Sequence, residues 1–348
     1  MFLSFNVFGA NYGVTPFEDI LICSEDNFAT PSDYQVLTTF SIYENIERAF
    51  KKNQTNNTLL IGLPTGFEFN IDSGTVNYGS GDISSVTIDR YATYLELTIT
   101  IPNSGGANDF DTLHFENFYV RAISANSGDV YRGGTASSSG DFIIANRTTV
   151  PGDGTTNTAE SLGSLTASVD MTYSGSVVTQ NETSNVAPGL TNTEVIGVSI
   201  TTTGACNAIN ATTFKFDTDG GNTTGTDNVA NTVSNAHLYF SGTSSGFSTA
   251  SLFGSIASPN GEFTITGDQT LEEGTNYFWL VYDLNVNATT GDRIDAQCTH
   301  VTVNDSIDTL STPNPTGSRL LSAYYLVASG VWNNSDNWSL DSCNGNGS

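Results

Sequence analysis

The segment Tyr94-Leu-Glu-Leu-Thr-Ile-Thr-Ile101 alternates for eight positions and puts Leu95, Leu97, Ile99 and Ile101 on one side of an extended chain. A period of two belongs to a half-buried strand, whereas a helix face repeats every 3.6 residues. The pattern recurs throughout the sequence. In the first half, Asn57-Thr-Leu-Leu-Ile-Gly-Leu-Pro64 ends at a proline, Phe67-Glu-Phe-Asn70 follows the turn Thr65-Gly66, and Phe115 to Ala122 reads as one strand. In the second half, Leu165–Val169, Glu194–Thr201, Thr213–Phe216, Ala236–Phe240, Glu262–Ile265, Tyr277–Tyr282 and Val301–Val303 read the same way. Gly- and Asn-rich turns such as Ser80-Gly81-Asp82 and Ser104-Gly105-Gly106 separate them. A single short helix is expected over Tyr43 to Lys52, where Glu44 and Glu47 precede Arg48 and Lys51. The fold class that follows is all-β, with tandem Ig-like or jelly-roll-type antiparallel β-sandwiches.

A chain of 348 residues exceeds one ordinary sandwich. The expected division is a signal-peptide remnant over 1–10, a first sandwich over 11–166 and a second over 167–310. A linker over 311–322 and the start of a further module over 323–348 complete it. The remnant is apolar, lacks a basic n-region and ends near Ala10, although Leu3, Phe5 and Val7 also alternate as a first strand would. The linker contains Ser311-Thr-Pro-Asn-Pro-Thr-Gly317. Trp332 and Trp338 read as core anchors of the further module, with an aromatic sugar platform as the alternative.

Charge narrows the functions. Ten Lys and Arg stand against 36 Asp and Glu, a net charge of −26. Such a surface repels nucleic-acid phosphates and anionic headgroups, so neither nucleic acid nor a membrane is expected as a partner. No stretch reaches the ~18 apolar residues of a membrane span. The 20 Phe, 14 Tyr and 3 Trp supply enough apolar surface to argue against disorder.

The candidate sites are sparse. Asp217-Thr-Asp-Gly-Gly-Asn222, with Asp227 beyond, spaces oxygen ligands as calcium loops do, so Asp217, Asp219 and Asp227 are the metal candidates. The sequence lacks the bidentate Glu of an EF-hand there, and a polar inter-strand turn explains the same residues. No other cofactor is expected. His114, His237 and His300 share no ligand spacing, and His237 reads as a sheet-face residue. Glu272-Glu273 and Asp292/Asp295 read as solvated carboxylates rather than a glycosidase pair. No GxSxG, P-loop or dinucleotide fingerprint occurs. The four cysteines form no CxxC pair. A Cys206–Cys298 disulfide is expected because both lie in the second module, which leaves Cys343 for a partner beyond the chain.

The second module resembles a known family. Asn235-Ala-His-Leu-Tyr-Phe-Ser-Gly-Thr243, with Phe247 and Gly254, is followed by Leu271-Glu-Glu-Gly-Thr-Asn-Tyr-Phe-Trp-Leu-Val-Tyr-Asp283 and Ala288-Thr-Thr-Gly-Asp-Arg-Ile-Asp-Ala-Gln-Cys298. These residues resemble the N-terminal domain associated with BNR-repeat neuraminidases, a β-sandwich of secreted multidomain Bacteroidota proteins, over about 170–305. Residues 23–135 are similar, less specifically, to repeated modules of giant surface adhesins of that group, through Leu63-Pro-Thr-Gly-Phe-Glu-Phe69, Val120-Arg-Ala122 and Arg132-Gly-Gly-Thr135.

The resemblance implies export by the type IX route, an extracellular or cell-surface location, and glycans or other surface proteins as partners. It also implies Asp-Ser/Thr-apolar O-glycosylation, at Thr112, Ser306 and Thr309. It carries no catalytic site, because the neuraminidase activity of those relatives lies in a propeller with Asp-boxes and no such box occurs here. The expected function is a non-catalytic structural or adhesive segment of a secreted surface protein, not an enzyme. The alternatives are an accessory region of a larger glycan-processing hydrolase and a carbohydrate-binding module.

Overall fold

The structure is a computed structural model that describes residues 12–44, 54–79, 81–101, 110–132, 161–218 and 225–322, with 325–326 and 338–339. The chain divides into two compact units, Met1–Asp170 and Met171–Ser348. Both are built of strands, as the alternation requires. The expected signal remnant over 1–10 lies outside the described residues.

The first unit contains β1 (Tyr12–Thr15), β2 (Ile20–Ser24), β3 (Gln35–Val36), β4 (Phe40–Glu44), β5 (Gln54–Gly62), β6 (Phe67–Phe69), β7 (Thr75–Tyr78) and β8 (Ser85–Arg90). After these come β9 (Tyr94–Ile101), β10 (Thr112–Glu116), β11 (Tyr119–Ala122), β12 (Ser127–Arg132) and β13 (Ser161–Val169). They form sheets of order β1-β4-β10-β7, β3-β11-β6 and β2-β13-β12-β5-β9-β8. The four apolar residues of β9 are buried and share one core with Phe40, Ile42, Leu113 and Phe115. Phe40 and Phe115 stack at 4.5 Å between ring centroids.

Three expectations change in this unit. Tyr43 and Glu44 end a strand rather than begin a helix, and residues 45–53 lie outside the described residues. Phe115 to Ala122 is two strands in different sheets, because Asn117 turns the chain with φ 57°. Leu165–Val169 belongs to the first unit, since β13 pairs antiparallel with β12 and parallel with β2. The unit therefore closes after β13, past the expected break at 166.

The second unit contains β14 (Thr172–Thr179), β15 (Thr193–Thr203), β16 (Asn210–Asp217), α1 (Val229–Thr232), β17 (Val233–Phe240), β18 (Ser251–Ala257) and β19 (Glu262–Thr270). It continues with β20 (Gly274–Leu284), β21 (Arg293–Ile294), β22 (Gln297–Val303), β23 (Ser306–Thr309), β24 (Arg319–Leu320), β25 (Tyr325–Leu326) and β26 (Trp338–Ser339). A five-stranded antiparallel sheet, β14-β15-β20-β17-β18, and a four-stranded one, β19-β16-β22-β23, enclose one core. Phe214 and Phe278 are central to it, 4.7 Å apart, and partly buried Phe253 packs against them, 5.6 Å from Phe278. Strands β18 and β19 close one side of the sandwich. Gly254 permits that approach, because a Cβ there would lie 2.4 Å from the Thr266 carbonyl oxygen.

The stretch expected to be a linker, 311–322, is part of this sandwich. Leu310 and Leu321 are buried in the core, Pro313 O accepts from Cys298 N at 3.0 Å, and β24 pairs with β21. The Arg319 guanidinium donates to the carbonyls of Ser184 and Glu194, each at 2.9 Å. Proline and glycine there shape a covering segment rather than a spacer. In the expected further module, β25 and β26 pair with each other, and Trp332 and the Trp338 side chain lie outside the description.

Candidate functional site

Strand β20 carries an anomaly that locates the site. Its even-numbered residues Phe278, Leu280, Tyr282 and Leu284 face the core. Trp279 and Val281 point to the opposite face, which in an antiparallel sandwich normally meets water. They are nonetheless 2% and 0% exposed.

A strap explains the burial of Trp279. After β17 the chain runs through Ser241 to Ala250 without regular structure. Ser241 Oγ accepts from the indole Nε1 at 3.0 Å, and the Phe247 ring meets the indole edge to face at 5.9 Å. On the other flank, a Cβ at Gly197 would lie 2.8 Å from the indole, so only glycine lets the ring lie across β15. Tyr277 anchors the strap by donating N–H to Gly242 O at 2.9 Å and accepting from Ser241 N at 3.0 Å.

Beside the indole a polar chain fixes the end of the same face. Asp283 Oδ2 accepts from His237 Nε2 at 3.0 Å and from Asn235 Nδ2 at 3.3 Å, while Oδ1 accepts from Asn192 N at 2.9 Å. Tyr239 OH donates to Asn192 Oδ1 at 2.9 Å. Burial pushes the Asp283 carboxyl up, but the hydrogen bonds from Asn192, His237 and Asn235 outweigh it and hold the group below its ordinary range. Burial, with the Asp283 charge nearby, pushes the Tyr239 phenol up. Such a network fixes side chains in place.

The rest of this face is neutral except for Glu194, which pairs with Val281 on it and has the Arg319 guanidinium nearby. Register places Val177, Ser199 and Tyr277 in one row, and Thr179, Gly197, Trp279, Tyr239 and Leu252 in the next. Thr201 and Thr275 lie side by side with hydroxyls 3.3 Å apart. No Asp, Glu, Lys or Arg occurs from residue 228 to 261, nor from 274 to 282, although such residues are 13% of the chain. The outer face of the four-stranded sheet differs, with Lys215 Nζ 2.7 Å from Glu262 Oε2.

The sequence-derived candidates fall elsewhere. Asp217 Oδ2 accepts from Gln297 Nε2 at 3.3 Å, and Asp227 Oδ2 from Arg293 N at 3.0 Å. Asp219 lies outside the described residues, among which no group of three or more His, Cys, Asp or Glu is placed to hold a metal. Asp295, expected to be solvated, is fully buried, and its Oδ1 accepts from Ala296 N at 2.8 Å. Thr112 begins β10, half-buried between buried Asp111 and Leu113, whereas Ser306 and Thr309 are exposed at the two ends of edge strand β23. The Cys206–Cys298 disulfide is not formed: Cys206 is disulfide-bonded and Cys298 is a free thiol. Cys298 packs in the core, where burial pushes its pKa up and Sγ contacts His300 O at 3.6 Å. His237 is on the sheet face, as read from its strand. The strap escaped the sequence reading, but Tyr277-Phe-Trp-Leu-Val-Tyr282 was a signal for it. Although the segment was grouped with the alternating strands, all six of its residues are apolar, and such a run marks a strand covered on both faces.

Comparison with known proteins bears on this same region. Residues 174–306 match the family model described as the N-terminal domain of BNR-repeat neuraminidase. Among solved structures, a Hadza microbial sialidase, Hz136, is similar at 13% identity with a TM-score of 0.33. That alignment covers 42% of this chain and 31% of the sialidase, so the chain spans less than a third of it. The C-terminal domain of the Streptococcus pyogenes antigen I/II-family protein AspA aligns over 90% of this chain and 99% of its own, at 7% identity and a TM-score of 0.23. The collagen adhesin CNA of S. aureus aligns over 89% and 92%, at 10% identity and a TM-score of 0.21. No curated protein sequence matches the chain.

Proposed function

We propose that the chain is a non-catalytic adhesive segment of an exported bacterial surface protein, and that the second unit presents the contact face. One observation carries this reading. Around Trp279 the outer face of the five-stranded sheet is a pre-organised surface low in charge, and the carboxylates at its end are engaged, Asp283 by His237 and Asn235 and Glu194 beside Arg319. Asp283 and His237 on this face are bonded to each other, and Asp283 also holds Asn235 and Asn192, which in turn holds Tyr239. A general acid or base needs a free path to substrate, and a bonded pair on an open sheet face offers none. A pre-organised surface of this kind suits recognition, since little side-chain freedom is lost on binding.

The family match favours a second reading, in which the chain is an accessory region of a larger glycan-processing hydrolase. The contact role of the face is common to both. The test uses the purified chain coated on beads. Beads carrying it should be retained on cultured epithelial cells in flow, and the soluble chain should leave a fluorogenic sialoside intact. Retention equal to that of albumin-coated beads, or turnover of the sialoside lost in a single carboxylate variant, would overturn the reading.

A further inference from the structure

We infer that the face around Trp279 is a binding site for neutral, non-sialylated glycan chains; this rests on the adhesive reading and names its ligand class.

The argument begins with what the face lacks. Recognition of a sialic acid carboxylate, a sulfate or a phosphate calls for Arg or Lys, whose donors match the anion's oxygens. Neither occurs from residue 228 to 261, from 274 to 282, or along β14, and the molecule as a whole carries −26. The cation bordering the face, Arg319, is taken up by the carbonyls of Ser184 and Glu194 and lies near the Glu182 and Glu194 carboxylates, so an acidic sugar meets a repulsive field with no free cation on the face to offset it. A neutral partner meets no such field. The same absence disfavours a protein partner with a basic patch, which would find its charge complement on the carboxylates elsewhere in the molecule.

What the face presents fits a sugar. Pyranose rings combine a C–H face, which packs on aromatic rings, with hydroxyl groups at the rim. Phe247 is 42% exposed at the crest of the strap, and Tyr277 and Tyr239 flank the indole beneath it in successive rows. Hydroxyls surround them: Ser199 stands beside Tyr277 in register, and Thr201 and Thr275 lie next along the sheet. Hydroxyls act as donor and acceptor alike, which matches the same dual capacity in sugar hydroxyls. Trp279 itself is covered, so it braces the platform from below and does not touch the ligand.

The platform is also held still. The indole Nε1 bond to Ser241, the Tyr277 backbone pair with the strap, and the Tyr239–Asn192 bond fix its parts without using the outward hydroxyls of Ser199 or Thr275 on an ion pair. A flat, fixed array costs little ordering when a chain of sugars settles on it.

The test is a glycan array carrying matched neutral and sialylated pairs, followed by solution binding to asialofetuin and to fetuin. We expect retention on neutral members, and weaker or no binding to their sialylated counterparts. Phe247→Ala should weaken asialofetuin binding up to roughly tenfold, the range for loss of one aromatic contact. Val177→Asp, at a 55% exposed position in the Tyr277 row, should weaken it by placing a carboxylate on the face. Both positions are exposed, and a cooperative unfolding transition with wild-type far-UV circular dichroism in each variant would show that folding is intact. No binding to any neutral glycan, a preference for the sialylated partner, or full binding by both variants would overturn the inference. Bead retention that survives periodate oxidation of the cell glycans would sink the glycan assignment and leave the adhesive reading standing. Loss of all retention on untreated cells would sink both.

Discussion

The two sheets of the second unit share a core and differ on their outsides. The four-stranded sheet shows water an ordinary mixture, in which Lys215 meets Glu262 and His300 Nδ1 lies 2.9 Å from Thr299 Oγ1. The five-stranded sheet turns a tryptophan and a valine outward and then covers them. Burying an indole on the far side of a sheet makes a second small core, held by one glycine and one irregular strap. The difference teaches that the sandwich is stabilised from both sides of β20, and that the strap is part of the fold rather than a decoration on it.

Truncating Trp279 gives the strongest test of that comparison. Trp279→Ala should cost about 3–5 kcal/mol in urea unfolding, as large as Phe278→Ala in the central core, because both rings are fully packed. Gly197→Ala should cost about 1–3 kcal/mol, since its Cβ must displace the indole. Val177→Ala, on the same face but exposed, should fall within about 0.5 kcal/mol. A Trp279→Ala loss below about 1 kcal/mol would mean that the outer ring contributes no core of its own.

The legibility of these regions in the sequence follows the same division. Strand β9 was readable residue by residue, because eight alternating positions admit one face assignment. The break at Asn117 was not, since an apolar run conceals a single left-handed residue. Leu165–Val169 was recognisable as a strand, but its sheet depends on partners at Ile20–Ser24 that no local pattern reveals. Residues 311–322 have the composition of a linker, and only Leu310 and Leu321 hint that both ends return to the core. At the candidate site, the apolar run of β20 was visible and its cover was not. Small polar residues from Ser241 to Ala250 carry no period, and Phe247 alone betrays the contact. Cysteine spacing misled for a related reason: sequence places Cys206 and Cys298 in one module but cannot orient Cys298 into the core.

A smaller effect separates the Trp279 face from the open side of the sandwich through pH. Asp283 has a folded pKa below its ordinary value of 3.8, so its contribution is present above that value and is lost as pH falls through the folded pKa. Wild type should exceed Asp283→Asn in stability at pH 6, and the gap should close only below about pH 3.8. On the open side, the Tyr173 hydroxyl bonds Asp308 on β23 and lies 2.7 Å from Ser176 Oγ. Burial and that bond raise the phenol from 10.0 to about 12. Its contribution is constant up to about pH 10 and falls between 10 and 12, because the unfolded chain releases the proton first. Tyr173→Phe should remove that alkaline decline and leave the acid limb unchanged. Matching acid limbs for wild type and Asp283→Asn would refute the ionic account of the network.

The smallest effect belongs to the charged face. Lys215 and Glu262 sit 2.7 Å apart, yet their side chains are 34% and 58% exposed, so water and salt screen the pair. A double-mutant cycle through Lys215→Ala and Glu262→Ala should give a coupling of about 0.2–1 kcal/mol, shrinking as sodium chloride rises toward 1 M. Trp279→Ala should hardly change over the same salt range, because packing and a neutral hydrogen bond carry its loss. A coupling above about 2 kcal/mol that resists salt would show that the ion pair is desolvated. The two faces would then differ in chemistry but not in how firmly each is built into the fold.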